Sequence, residues 1–273
     1  MWSDAMVEAF NRELSSSFDR YASSFRVQGE LPYLLDLKLR HSYRVREEAV
    51  SIASHSDQLP PHQRPPAFAV GLLHDLGRFQ QYRLHGTFND SASVDHGDLG
   101  ARILESDLSH LSALMPQRWW HLLKLSIGLH NKRRVPQGLD PDEELWVRLA
   151  RDADRLDVYR VITGHLERGT MIKIIPRLVD QDSPPSDLIV EEILSTHTAD
   201  YSMVRSLADL LLVQISWAYD MSFPWSMAEV LRRGVVERIS RFVPKTSGAK
   251  RVIQDVKAWL VSSTRSPAVQ AGV

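Results

Sequence analysis

The 273-residue chain contains no cysteine. Disulfides, thiolate nucleophiles and Cys-ligated zinc or iron–sulfur centres are therefore excluded, and a metal would have to be held by His, Asp or Glu. An excess of charge of either sign is also missing. Lys and Arg number 33 against 34 Asp and Glu, giving a formal charge of -1 and a pI near 6.8. Without a basic surface a duplex nucleic-acid partner is not expected, although a nucleotide-sized ligand is compatible. Long apolar runs are scarce. The most apolar stretch, "LADLLLVQISWAYDMSF" at 207–223, is interrupted by Asp209, Gln214 and Asp220 and reads as a buried helix, not a membrane span. The N-terminus "MWSDAMVEAFNREL" carries acidic residues and no uninterrupted apolar core, so no secretory signal and a cytoplasmic location are expected. Strand-like sequence is almost absent, with only "MIKIIP" at 171–176 suggesting a short strand.

What remains is a globular composition, 43% hydrophobic and 25% charged, sufficient for a sizeable core. Apolar residues recur at three and four positions, as in Val45, Ala49 and Ile52, or Leu145, Leu149, Ala153 and Leu156. This spacing predicts an all-α protein. Phe68, Leu72, Leu76 and Phe79 predict one helix running through His74 and Asp75. Breakers fall in "QLPPHQRPP", "HGTFNDSASVD", "KRRVPQGLDPDEE" and "DQDSPPSD". The expected organisation is an N-terminal helical extension over 1–29, a principal domain over 30–165 and a C-terminal helical region over 166–273, whose tail "STRSPAVQAGV" is expected to fray.

Within this apolar pattern, "GLLHDLGRFQQY" sets His74 and Asp75 side by side in core sequence. An unpaired buried carboxylate costs several kcal/mol, so Asp75 needs a buried Arg or a cation. Partners are available on other helices. His41 shares a face with Val45 and Ala49, His96 with Leu99, Gly100 and Ile103, His130 with Leu123 and Ile127, and Asp154 with Trp146 and Ala150. Four histidines and two carboxylates, without a thiolate, suit one or two first-row divalent ions such as iron, manganese, nickel or zinc. The other histidines, His55, His62, His85, His110, His121, His165 and His197, fall in loops or on mixed faces and read as structural or solvated.

The segments "HSYRV", "LLHDLGRF" and "ARDADRLD" together resemble the HD superfamily of metal-dependent phosphohydrolases, over roughly 30–165. That family holds metal with a His, a His-Asp pair and a distant Asp on separate helices of an all-α fold. The resemblance implies a first metal site of His41, His74, Asp75 and Asp154. His96 and His130 match the second-metal ligands of binuclear members, with Asp75 bridging. The chain lacks an "HHE…DG…GYP" segment and the "LADRLHN" form, so neither cyclic-di-GMP nor guanosine tetraphosphate is implied as substrate.

The chemistry so implied is hydrolysis of a phosphate mono- or diester by a water activated on divalent metal, magnesium included among the candidates. Asp75 and Arg78 are the expected catalytic residues. Arg78, Lys132 and Arg133 are candidates for binding the substrate phosphate, with a solvated loop as the alternative for the last two. Asp157 either orients a ligand histidine or pairs with a neighbour such as Arg160. Thr87, Asn89 and Asp90 are placed by their loop as candidates for the substrate mouth. Two other outcomes fit the same ligands: a mixed-valence di-iron oxygenase, and a regulatory module without turnover. The expected partner is a small phosphorylated molecule. Nothing in 186–263 indicates its identity, and the oligomeric state is not legible.

Overall fold

Several helix boundaries fall where the chain supplies caps and breakers. The computed structural model describes residues 3–175 and 182–265, and every regular element among them is helical. The first seven helices are α1 (Asp4–Ser23), α2 (Tyr33–Ser54), α3 (Pro66–Leu73), α4 (Leu76–His85), α5 (His96–Ser106), α6 (Gln117–Leu129) and α7 (Pro141–Glu167). They are followed by α8 (Asp187–Thr196), α9 (Leu207–Ser216), α10 (Pro224–Arg232), α11 (Val235–Ser240) and α12 (Ser247–Arg265). Pro66 begins α3, where its missing N–H costs nothing. The Asp95 carboxylate accepts from Asp98 N at 3.0 Å and caps α5. Gly86 ends α4 with φ +63, a left-handed conformation that a side chain would strain.

The chain divides into two units, 1–154 and 155–273, with the boundary inside α7. In the first, α1 and the turn after it pack aromatic rings on α4: Phe18, Tyr21 and Phe25 each lie edge-on or tilted to Phe79, with ring centroids 5.8, 5.9 and 5.6 Å away. The Tyr21 hydroxyl donates to Leu76 O at 3.2 Å. Two glycines bring backbones into contact. A Cβ on Gly71 of α3 would lie 2.6 Å from Arg46 Cα of α2, and one on Gly77 of α4 would lie 2.1 Å from His96 O of α5.

In the second unit α9 is buried along its whole length, as expected for a helix without a polar face. The Asp209 carboxylate accepts from Ser206 N at 3.3 Å and Ser186 N at 2.7 Å, tying the starts of α9 and α8 together. From α12 the residues Ala249, Val252, Val256 and Leu260 are buried at helical spacing. No described helix is long and apolar enough to cross a membrane.

Two local expectations are corrected. The region of "MIKIIP" is not a strand. Met171–Lys173 forms a 3₁₀ turn, and the N–H groups of Lys173, Ile174 and Ile175 donate to Thr170 O or Met171 O at 3.0 Å, so they are used locally. Pro176 lies outside the described residues. The core helix of 68–79 is interrupted: α3 ends at Leu73, α4 begins at Leu76, and Asp75 has φ -98 and ψ 20. Of the tail, 263–265 continue α12 and the rest lies outside the described residues.

Candidate metal centre

The interruption falls at the pair itself: His74 closes α3 and Asp75 precedes α4. Asp75, with φ -98 and ψ 20, leaves the helical path, and Arg78 N donates to Asp75 O at 2.9 Å and restarts the helix. Three of the other ligand candidates also sit at helix ends. His74 is the C-terminal cap of α3, His96 the first residue of α5 and His130 the C-terminal cap of α6. Only His41 and Asp154 project from helix interiors, α2 and α7.

All six candidates are brought together. His41 Nε2 is 3.0 Å from Asp154 Oδ1 and 3.4 Å from Asp75 Oδ2. His74 Nε2 lies 3.6 and 3.5 Å from the same two oxygens and 3.2 Å from His41 Nε2. The opposite oxygen of Asp75 faces another pair: His96 Nε2 is 3.4 Å and His130 Nε2 is 3.8 Å from Oδ1. These two nitrogens are 3.2 Å apart. Asp75 therefore lies between two histidine pairs, one on each oxygen. His41, His74, Asp75, His96 and His130 are all at most 4% exposed.

Outer partners fix which nitrogen of three of the rings carries a proton. Nδ1 of His74 bonds Gly71 O, and Nδ1 of His130 bonds Ile127 O, each at 2.8 Å. Nδ1 of His96 bonds Asp90 Oδ2 at 2.6 Å. Carbonyls and carboxylates only accept, so these nitrogens are the donors, and in the neutral rings the Nε2 atoms carry lone pairs. His96 and His130 then face each other with lone pair against lone pair and no proton between them, beside a carboxylate oxygen. A shared cation resolves that arrangement, and the donor set of imidazole nitrogen and carboxylate oxygen fits a divalent transition metal. The ligand atoms of His41, His74 and Asp154 lie mutually within 4.8 Å, as do those of His74, Asp75 and His130. The buried groups can hold a metal ion at this place.

Electrostatics agree with these assignments. Burial opposes the charge on Asp75, yet Lys38 and His74 outweigh it and hold the carboxyl well below its usual range. Burial likewise opposes ionisation of Asp154, and hydrogen bonds from His41 and His74 lower it. His96 is pushed down to about 4 by burial and by Arg78, which keeps its ring neutral. Against its own burial His74 is raised by Asp75, so a metal at His74 competes with a proton.

The remaining candidates distribute unevenly. Arg78 lies beside the cluster, its Nε 3.5 Å from Asp75 Oδ1 and its Nη1 donating to Phe88 O at 2.6 Å and Asp90 Oδ1 at 2.9 Å. Asp90 has a role that its loop position did not suggest: it holds His96, with Gln81 donating to its other oxygen at 2.8 Å. Thr87 and Asn89 shape their own loop, through Asn89 N to Thr87 Oγ1 at 3.1 Å and Ser91 N to Asn89 Oδ1 at 3.1 Å. Lys132 is drawn to α5, 2.7 Å from Asp95 and 2.8 Å from Asp98. Arg133 is exposed. Asp157 is fully buried and belongs to the second unit.

Three contributors escaped the sequence reading. Lys38 Nζ reaches Asp75 Oδ2 at 2.6 Å, and its place three residues before His41 on one helical face was an available signal. Asn131 Nδ2 donates to Asp90 Oδ2 at 3.2 Å and Asp95 Oδ1 at 3.0 Å. Arg151, buried, donates to His130 O at 2.9 Å and fixes the end of α6. The last two depend on loop paths that spacing does not encode. Comparison of the chain with protein-family models, with curated proteins and with solved structures finds no match.

Proposed function

We propose that this protein is a metal-dependent phosphohydrolase of the HD type, acting on a small phosphorylated substrate. The observation that carries the reading is Asp75, with each of its oxygens facing a separate pair of histidine Nε2 atoms. Two ions sharing one carboxylate is an arrangement suited to displacement at phosphorus. His41, His74, Asp75 Oδ2 and Asp154 would hold one, and His96, His130 and Asp75 Oδ1 the other. When bound, such ions supply an activated water near neutral pH and neutralise phosphoryl oxygens. The protein's own groups do the rest. The outer acceptors keep the imidazoles of His74, His96 and His130 in the ligating tautomer, Asp90 orients His96, and Lys38 and Arg78 bring positive charge to the edge of the cluster.

The test is metal content per chain by inductively coupled plasma mass spectrometry, followed by assay on phosphate mono- and diesters. About two equivalents in the wild type are expected, with metal and hydrolysis both lost in Asp75→Ala and only the second ion lost in His130→Ala. Unchanged metal and activity in Asp75→Ala would overturn the reading. So would iron-dependent oxygen uptake in place of hydrolysis, which belongs to the di-iron oxygenase alternative.

A further inference from the structure

Lys38 is not a metal-ligand type, yet its ammonium touches the carboxylate at the centre of the cluster. Arg78 approaches the opposite oxygen, and its buried Nε has no hydrogen-bond partner. One ring spans the two cations: the Phe88 centroid is 5.7 Å from Lys38 Nζ and 5.6 Å from Arg78 Cζ. Phe88 is itself set against Tyr82, centroids 5.2 Å apart. The side chains of Lys38 and Arg78 are 22% and 15% exposed, so solvent touches both, in contrast to the histidines of the cluster.

The local charge points to what that ligand is. The carboxylates of Asp75, Asp90 and Asp154 stand against two cations, which leaves one net negative charge. A pair of divalent ions would turn this into three positive charges at a partly buried place, where unbalanced charge is costly. A monoanion offsets one of them. A phosphomonoester, close to a dianion at neutral pH and rich in acceptor oxygens, offsets twice as much. An ammonium is a compact point charge suited to such a group.

We propose that Lys38, with Arg78 beside it, receives the terminal phosphate dianion of a phosphomonoester, so that monoesters and not diesters are the substrate class. The proposal rests on the metal-dependent reading above. Its test is calorimetric titration of the manganese-loaded full chain with inorganic phosphate and with dimethyl phosphate, a diester monoanion, in the wild type, Lys38→Met and Lys38→Arg. Phosphate should bind the wild type at least about tenfold more tightly than dimethyl phosphate. Lys38→Met should lose about tenfold to a hundredfold in phosphate affinity, the worth of a charged hydrogen bond, and distinctly less in dimethyl phosphate affinity, with metal content unchanged. Lys38→Arg should retain most of the discrimination. Equal wild-type affinity for the two anions, or undiminished phosphate binding by Lys38→Met, overturns the proposal and leaves the metal centre standing. Loss of metal together with phosphate in Lys38→Met also overturns it, since Lys38 would then only support Asp75. A wild type that takes up no metal removes both readings.

Discussion

Replacing Asp90 by Asn keeps the size of the side chain and removes the charge to which His96 Nδ1 donates. With its amide oxygen toward Arg78 and Gln81, which donate to Asp90 Oδ1, its NH₂ group would face Nδ1. The His96 proton is then driven to Nε2, the atom needed as a ligand. Asp90→Asn is expected to weaken the ion at His96 and His130 by about 10- to 100-fold and to leave the one at His41, His74 and Asp154 in place. Stoichiometry under limiting metal measures this directly. The six ligand candidates were legible because each is polar where its neighbours are apolar. Asp90 was not, because it lies in a loop where polar residues need no explanation, and only the folded path brings it to His96.

Among the helices, α4 and α5 meet where Gly77 has no side chain. Gly77→Ala would press a methyl group to 2.1 Å from His96 O, a backbone atom that cannot turn aside. The two helices must separate, at a cost of about 1–3 kcal/mol. His96 moves with α5, so the expected outcome is a lower unfolding midpoint together with loss of the second ion. Thermal denaturation and metal analysis of the same sample check both. A lower midpoint with full metal content would mean that the helices yield elsewhere. The course of the helices was readable from apolar spacing and from breakers such as Pro66 and Gly86. The break at Asp75 was not, since no proline or glycine occupies 74 or 75 and the apolar rhythm of Phe68, Leu72, Leu76 and Phe79 passes through it. The break coincides with the two side chains that enter the cluster, a tertiary setting that spacing does not encode.

For the molecule as a whole, acid stability should depend in part on Glu229 of α10. Hydrogen bonds from Arg232, and then from Arg233, hold its carboxyl down to about 2 against an ordinary 4.5. A carboxylate lowered by folding contributes stability that is fully present above its unfolded value and is lost as pH falls through its folded one. Glu229→Gln should therefore reduce stability at pH 7 and flatten its decline between about pH 4.5 and 2, as read by denaturant unfolding at a series of pH values. A wild-type pH profile kept unchanged by the variant would contradict the ion pair with Arg232.

The burial of His41, His74, Asp75, His96 and His130 concerns history as well as chemistry. Asp154 is 26% exposed at its side chain, but an ion held by His96, His130 and Asp75 alone would exchange only when the structure around them opens, and openings of a packed interior are rare and slow. An ion captured while the chain folds would thus persist through purification, whatever ion is later in excess. Protein refolded in manganese and protein folded without it and then soaked would differ in content under the same final buffer. The metal found in such a centre records the conditions of its folding.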